Sequence, residues 1–252
     1  MAPYDRPTRS VTRDLLVVHS SDIHIDDEYT ARLYGGDGTG GLRLVLDAAT
    51  AAGADLVVLA GDVFEHNRLP LALIDRAARV LDSARMPVVM LPGNHDPATL
   101  DGVYRRGGLA DVGNVHILGV TNDGSEIFPD LDLEIWGHAH RDYGDMAPLR
   151  APRPRRTARQ IAVAHGHYTP APADIPFPRA SWMFGDVDLD ATGADYVALG
   201  HWNRPVPVGA GTVPAYYSGS PELSGTVNVV RLSLSGDVQV TRRKIAAPEI
   251  VP

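Results

Sequence analysis

The 252-residue sequence contains no cysteine. This absence excludes disulfides, thiolate zinc sites, iron–sulfur clusters and cysteine nucleophiles. The sequence also lacks any run near the ~18 consecutive apolar residues that a membrane span requires. Its polar first residues contain no basic start followed by an apolar stretch, as a secretory signal would. We therefore expect a cytoplasmic protein with no membrane partner.

An excess of positive charge is also missing. Lys and Arg together number 23 against 31 Asp and Glu, for a formal net charge of −8. Long-range electrostatics therefore do not favour nucleic acid as a partner, although a local basic patch could still bind it. The length suits a single α/β domain, which we expect over residues 14–252 after a flexible arm of residues 1–13.

Short apolar runs alternate with helical patterns in the first half of the chain. Residues 15–18, 55–60 and 87–91 are apolar on both faces, which is typical of buried parallel strands. Residues 42–52 and 71–84 have the spacing of amphipathic helices. This alternation predicts a βαβ core.

The second half is richer in predicted strands. Four strands are predicted at 115–120, 131–136, 160–164 and 195–199. A closing meander is predicted from 216–217, 226–234 and 238–245, with a turn at 235–237. Two proline-rich stretches, 148–154 and 170–178, are predicted as loops that border the functional site.

Five polar motifs follow the predicted strands. They are Ser-Asp-Ile-His at 21–24, Gly-Asp at 61–62, Gly-Asn-His-Asp at 93–96, His-Gly at 165–166 and Gly-His-Trp-Asn at 200–203. Strand ends of an α/β sheet are where such folds gather their active sites. Oxygen ligands mixed with imidazoles suit a pair of divalent metal ions.

The first two motifs offer carboxylates and an imidazole. Asp22 and His24 are two residues apart, so in an extended segment they point to the same side and can reach one metal. Asp62 follows a strand and a glycine, and its carboxylate could bridge two ions. Taken singly, Asp-x-His is also common in solvated turns, and Asp62 could instead cap the following helix.

The third motif is more specific. Asn94 offers a neutral carbonyl oxygen to a metal, while His95 beside it can face a substrate. An imidazole near a leaving oxygen can stabilise a phosphoryl group or donate a proton. Asp96 is predicted to orient the His95 ring, which makes these two the catalytic candidates.

The ordered set of motifs resembles the calcineurin-like metallophosphoesterase superfamily over residues 15–234. The resemblance implies a four-layer αββα sandwich. Within the superfamily, residues 61–68, 194–201 and 217–222 resemble the DNA-repair exonuclease branch, which includes the nuclease subunit of the bacterial SbcCD complex.

The resemblance also implies a distribution of ligands over two metals. Asp22 and His24 would bind the first metal, and Asp62 would bridge both. The second metal would be held by Asn94, His165 and His201. His95 would contact the phosphate.

The last motif departs from the family pattern. The family normally has Gly-His-x-His, and its second histidine completes the first metal site. Here that position is Asn203. An amide oxygen in place of an imidazole shifts the preference from Zn²⁺ towards Mn²⁺, Mg²⁺ or Fe²⁺, and Mn²⁺ is our first expectation.

Other histidines compete for these roles. Gly137-His138-Ala139-His140 also fits Gly-His-x-His, but its position in the chain does not follow the family order. We predict that both histidines are loop residues, while leaving open that one lines the site. His167 competes with His165, which is preferred because it directly follows an apolar run. The remaining candidates are expected to be structural or surface residues: His19, His66 and His116.

The sequence thus predicts an enzyme that hydrolyses phosphate mono- or diesters by attack of a hydroxide shared between two metals. One alternative is a DNA nuclease subunit of the SbcCD type. Such nucleases usually continue into a DNA-engaging domain and an ATPase-docking segment, neither of which we find in the sequence. The other alternative is a non-catalytic binding protein whose first metal site is degraded at Asn203.

Overall fold

The structure is a computed structural model that describes residues 13–142, 148–170 and 182–245. The strands, in chain order, are β1 Leu15–Ser20, β2 Leu56–Ala60, β3 Val88–Leu91, β4 Val115–Ile117, β5 Ser125–Phe128, β6 Leu133–Gly137, β7 Arg159–His165, β8 His167–Tyr168, β9 Met183–Phe184, β10 Tyr196–Gly200, β11 Val206–Val208, β12 Ala215–Tyr217, β13 Thr226–Leu232 and β14 Val238–Lys244.

Five α-helices connect these strands. They are α1 Tyr29–Leu33, α2 Gly40–Ala52, α3 Leu71–Asp82, α4 Asp186–Ala191 and α5 Pro221–Ser224. Three single 3-10 turns lie at Val103–Arg105, Leu109–Asp111 and Pro129–Leu131. Helix α2 ends where the sequence predicts, because Gly53 adopts a left-handed conformation with φ of 66°. Within the described ranges, no helix is both long and apolar enough to cross a bilayer.

The strands form two six-stranded sheets and one small two-stranded pair. The first sheet has the order β14-β13-β1-β2-β3-β4, and β1 to β4 run parallel. The second has the order β11-β12-β10-β7-β6-β5, and its central strands β12, β10, β7 and β6 are also parallel. Parallel strands place all their carboxyl ends at one edge of each sheet.

Three apolar layers hold the sheets and helices together. One lies between α2, α3 and the outer face of the first sheet, with Leu42 and Ile74 fully buried. The second lies between the two sheets, where Val58 packs with Ile161. The third covers the outer face of the second sheet and includes Leu189 of α4. The expected four-layer αββα sandwich is therefore confirmed.

The predicted closing meander is wrong in one element. Ala215–Tyr217 pairs with β10 and β11 in the second sheet, whereas β13 and β14 pair beside β1 in the first. The sequence pattern cannot assign a three-residue strand to a sheet, because the same apolar face fits either layer. The sequence does not predict strands β5, β8, β9 and β11, all of which are short.

The proline-rich stretches are only partly described. Pro148 approaches Gly166, directly after the predicted ligand His165, since a Cβ at Gly166 would lie 2.9 Å from the Pro148 ring. Of the second stretch, only Pro170 falls within the described residues. Residues 1–12 of the expected arm also lie outside them. The single-domain boundary therefore stays a prediction.

Candidate metal centre

The motif segments meet where the carboxyl ends of β1, β2 and β3 face those of β7 and β10. Beyond the strands, the Asp-x-His and Gly-Asp segments remain paired through backbone hydrogen bonds. Asp22 N–H donates to the Gly61 carbonyl at 3.0 Å, and His24 N–H donates to the Asp62 carbonyl at 3.1 Å. This continued pairing holds the side chains of the two motifs at one place.

Asp22, His24 and Asp62 form one group of potential ligands. Each offers one atom, and the three atoms lie within 4.8 Å of one another. Both carboxylates are almost completely buried, at 2% exposure. The Asp22 carboxylate accepts the backbone N–H of His201 at 3.0 Å, which ties the first sheet to the second across the centre.

Asp62, His165 and His201 form a second group by the same criterion, again within 4.8 Å. His165 Nε2 lies 3.0 Å from Asp62 Oδ2. The side-chain oxygen of Asn94 lies 3.0 Å from His165 Nε2 and 3.1 Å from His201 Nδ1. Asp62 belongs to both groups, so its carboxylate is the one ligand that the two groups share.

The protonation states of this centre follow from burial and from close neighbours. Burial alone would raise the pKa of Asp62, but the adjacent His165 imidazolium and hydrogen bonds from His165 and His95 hold it well below its usual value. Burial opposes protonation of His165, yet Asp62 outweighs it and raises the His165 pKa to about 9. Burial and the charge on His165 lower the pKa of His201 to about 4, and burial raises the pKa of Asp22.

Backbone strain is concentrated at the same residues. Six non-glycine residues in the described ranges have positive φ, and four of them belong to the centre. These are Asp22 (53°), His24 (51°), Asp62 (50°) and His201 (104°). A left-handed conformation costs free energy in residues with a Cβ and is found mainly where function demands a particular side-chain direction.

Two glycines are required by close packing around the centre. A Cβ at Gly61 would lie 2.2 Å from His165 Nδ1, and one at Gly93 would lie 2.2 Å from Asp62 Oδ1. The glycine of each motif therefore makes room for the ligand-type side chain of another motif.

His95 lies at the border of the centre, with its ring 4.8 Å from that of His24 and its side chain 39% exposed. Its backbone N–H donates to Asp62 Oδ1 at 2.9 Å. Its Nδ1 lies 3.0 Å from the Glu65 carbonyl, which can only accept, so this nitrogen carries a proton. Among the described residues, the hydrogen bonds of the ring do not engage Nε2.

Glu65 was missed by sequence reasoning. Its Oε2 lies 2.7 Å from His24 Nδ1, and its Oε1 lies 3.4 Å from His95 Nδ1. The three residues form a third group of potential ligands. Glu65 follows no strand directly. It reaches His24 because Ile25 and Phe64 form an isolated parallel bridge, a pairing that the sequence does not display.

Asp96 requires a correction, because it is not placed to orient the His95 ring. One carboxylate oxygen accepts the Phe64 N–H at 2.9 Å and the Tyr104 hydroxyl at 2.7 Å. The other accepts the Gly93 N–H at 2.7 Å. The residue is fully buried and fastens the turn after β3 to the loop after β2.

The hydrogen bonds of His165 and His167 differ in a way that bears on which of them can bind a metal. Trp202 donates its indole N–H to His167 Nδ1 at 3.0 Å. A neutral His167 ring then carries its proton on Nε2 and has no free lone pair for a metal. His165 has the opposite arrangement: Nδ1 donates to the Ala60 carbonyl at 2.9 Å, which leaves Nε2 facing Asp62.

The remaining candidates are less directly placed. Asn203 is exposed, and within the described ranges its side chain has no hydrogen bond to the two groups. Its role as a ligand stays a prediction. His138 and His140 lie in the loop after β6, as predicted, and His140 Nε2 donates to the His165 carbonyl at 2.7 Å. His140 is thus a neighbour of the centre rather than part of either group.

The three histidines predicted to be structural or surface residues lie apart from both groups. His19 is buried and contacts the Tyr196 hydroxyl at 2.9 Å. His66 is exposed and accepts the backbone N–H of Arg68 at 3.2 Å. His116 Nδ1 lies 3.4 Å from a Glu126 carboxylate oxygen, on the first sheet's edge strand β4.

The centre fits a pair of divalent cations. A carboxylate shared by two sets of ligands is what two neighbouring ions need, and mixed oxygen and imidazole ligands suit Mn²⁺, Fe²⁺ or Zn²⁺. His165 has the usual arrangement of a metal-binding histidine, with one nitrogen donating to a backbone carbonyl and the other turned towards the carboxylate.

Comparisons with known proteins identify a family for this chain. The model of the calcineurin-like phosphoesterase family matches residues 15–205. No curated protein sequence matches the chain.

Two solved structures have a similar fold. One crystal structure has 13% identity and a TM-score of 0.54, with 93% of this chain and 99% of that chain covered. The crystal structure of TT1561 of Thermus thermophilus has 12% identity and a TM-score of 0.57, with coverage of 90% and 98%. The resemblance to the DNA-repair exonuclease branch stays a prediction.

Proposed function

Since the chain belongs to the calcineurin-like phosphoesterase family, we propose that it hydrolyses phosphate mono- or diesters with two divalent cations. One observation carries this proposal. The two groups of potential ligands, Asp22 with His24 and His165 with His201, meet at the shared Asp62. A single-metal site or a structural ion would need no such shared carboxylate.

Each ion would have its own ligands. Asp22, His24 and Asp62 would hold the first, with Asn203 as a further oxygen ligand. The second would be held by Asp62, Asn94, His165 and His201. Bound cations would supply a hydroxide nucleophile near neutral pH and would polarise the phosphoryl oxygens. The oxygen-rich first set favours Mn²⁺.

The protein's own groups would position the ester. His95 is the exposed imidazole beside Asp62, and its outward nitrogen would hydrogen-bond a phosphoryl or leaving oxygen. His140 and Asp96 would act only by holding the loops that carry the ligands.

The test is hydrolysis of bis(p-nitrophenyl) phosphate after removal of metal by chelation and addition of Mn²⁺. We expect turnover that requires the added metal, together with two bound ions per chain by elemental analysis. Asp62→Ala should lose both ions and all turnover, because it serves both sites. Asp47→Ala, an exposed carboxylate on α2, is the matched control and should keep both.

The same assay separates the alternatives. Faster cleavage of p-nitrophenyl phosphate would indicate a monoesterase, and release of nucleotides from a DNA end would indicate the nuclease function. Absence of turnover on every ester from protein with two bound ions would favour the non-catalytic binding protein. Full occupancy of both sites in Asp62→Ala would contradict the shared-ligand assignment.

A further inference from the structure

A cavity lies at the edge of the sheets, next to the strands that carry the metal centre. It has a volume of about 270 Å³ and is lined by residues 119, 123–124, 137–139, 141–142 and 150. These segments follow β4 and β6, which are the neighbours of β3 and β7 in their sheets. Adjacent strands are about 4.8 Å apart, so the cavity is one strand further along the same edge.

The loop that lines the cavity also contacts the metal centre. His140 is buried between the lining residues Ala139 and Arg141, and its Nε2 donates to the His165 carbonyl at 2.7 Å. Its backbone carbonyl accepts the Ala98 N–H at 2.7 Å, and its N–H donates to the Pro92 carbonyl at 3.3 Å. A substrate held at the centre therefore has this cavity as its neighbour.

The polar groups of the cavity favour an anion. Arg141 and Arg150 line it and are exposed, and their guanidinium groups make no ion pair or hydrogen bond with any part of the chain that the structure describes. Of the two lining carboxylates, Asp123 is engaged by Arg153, whose Nη1 lies 3.4 Å from its Oδ2. Asp142 also lines the cavity. The two arginines are thus the cations available to a ligand.

Three glycines also belong to the lining: Gly119, Gly124 and Gly137. A phosphate group in the cavity can pair its oxygens with the guanidinium groups of Arg141 and Arg150. Arginine is the side chain best suited to such bidentate pairing with phosphate.

We propose that this arginine cavity binds a second phosphate of the substrate, on the group that carries the scissile ester. The inference rests on the proposed phosphoesterase function, and it narrows the substrate class to esters with a further phosphate within reach of Arg141 and Arg150.

The test uses two chromogenic diesters that differ only in that phosphate. They are thymidine 5′-(p-nitrophenyl phosphate) and the same compound with a 3′-phosphate. Release of p-nitrophenol reports cleavage of the diester alone. We expect the 3′-phosphate to lower KM about 10-fold or more, the scale of a charge-assisted phosphate contact.

The double variant Arg141→Gln with Arg150→Gln should abolish that difference and leave bis(p-nitrophenyl) phosphate turnover unchanged. The matched control is Arg79→Gln with Arg85→Gln, which changes two exposed arginines on and just after α3. This control should keep the KM difference between the two diesters. Each single variant should lose part of the KM difference between the two diesters. These variants keep the test decisive if the double variant folds poorly.

The possible failures are distinguishable. If the unaltered protein cleaves neither p-nitrophenyl phosphate nor any diester, the proposed function is wrong. If it cleaves only the monoester, the phosphoesterase function stands and the proposal for the cavity is overturned. If it cleaves both substrates with equal KM, or if the double variant keeps the preference, the cavity does not bind the second phosphate although the esterase function stands.

Discussion

At the scale of single residues, Asp62 and His165 show why this centre is arranged for cations. The two side chains are buried, and without a cation they satisfy each other as an ion pair with 3.0 Å between Nε2 and Oδ2. A buried charge needs a partner of opposite sign. A bound cation would take over that function and would release the proton from His165 Nε2.

His95 is expected to act on the substrate and not on the metal. His95→Ala should leave the metal content nearly intact while lowering turnover about 10²-fold or more, the usual scale for a positioned acid–base group. Elemental analysis and kinetics on the same preparation measure both effects. His66→Ala, an exposed histidine, is the control. Loss of metal from His95→Ala would mean that His95 is a ligand.

Glu65 is expected to fix the orientation of His24. Its carboxylate lies 2.7 Å from His24 Nδ1, so the two side chains restrain each other, and His24 is also grouped with Asp22 and Asp62. Glu65→Gln should therefore weaken binding at the first metal site about 10-fold or more, as for other partners of metal-binding histidines. Calorimetric titration with Mn²⁺ measures this.

Glu126→Gln provides the control for that experiment, because Glu126 approaches His116 in a comparable way but away from the centre. Unchanged affinity in Glu65→Gln would show that His24 is held by its backbone alone.

Asn203 is expected to make the two sites unequal. An amide in place of an imidazole leaves the first site with fewer nitrogen ligands, so its ion should dissociate more readily. Asn203→His should tighten that site and reduce the Mn²⁺ concentration needed for half-maximal activity, whereas Asn203→Ala should not. Two equally tight sites in the unaltered protein, with no response to Asn203→His, would overturn this account.

At the scale of elements, the turn after β3 depends on one buried carboxylate. Asp96 accepts three hydrogen bonds, from Gly93, Phe64 and Tyr104. Burial, with the nearby charge of Asp62, raises the Asp96 pKa to about 6. The three donors therefore hold a carboxylate that burial disfavours, and with it the position of Asn94 and His95.

Asp96→Asn is expected to destabilise the fold. The amide nitrogen would face a donor, either the Gly93 N–H or the pair from Phe64 and Tyr104, and one buried hydrogen bond would be lost at a cost of about 1–3 kcal/mol. Urea unfolding measures the loss. Had Asp96 oriented His95, the same variant would keep its stability and lose turnover, so an unchanged unfolding midpoint would contradict the structural role.

At the scale of the whole molecule, two buried histidines join the sheets near the centre. His19 of β1 contacts the hydroxyl of Tyr196 of β10 at 2.9 Å. His140, after β6, contacts the His165 carbonyl of β7 and exchanges backbone hydrogen bonds with Pro92 and Ala98 after β3. Burial lowers the pKa of each to about 3. An unfolded histidine titrates near ~6.5, so below that value the unfolded chain takes up protons that the folded chain does not.

The free energy of unfolding is therefore expected to fall as the pH drops from ~6.5 towards 3. His19→Gln should make this pH dependence shallower, by up to about 1.4 kcal/mol per pH unit in the fully titrating range. Urea titrations at several pH values, on chelated protein so that metal release does not contribute, give the slope. The exposed His66→Gln should leave the slope as it is. An identical slope in His19→Gln would mean that His19 is protonated in the fold.

How much the sequence predicts depends on the range of the interactions. Residues 15–18, 55–60 and 87–91 are apolar on both faces, and this local pattern sufficed for the parallel strands and the motifs at their ends. The four-layer sandwich followed only from the resemblance of the motifs to the phosphoesterase superfamily. Parallel strands bring their carboxyl ends together, so sequence order alone indicated that Asp22, Asp62 and His95 would be neighbours.

Only the tertiary structure decided the contacts that depend on direction and long-range pairing. Glu65 reaches His24 through a bridge beyond the strands, and Asp96 turns away from His95 towards Phe64 and Tyr104. His167 accepts a hydrogen bond from Trp202, which is 35 residues away along the chain. A sequence pattern gives only the spacing of residues along one segment of the chain. The partner that each of these polar side chains takes depends on which hydrogen-bonding group of another segment lies beside it in the fold.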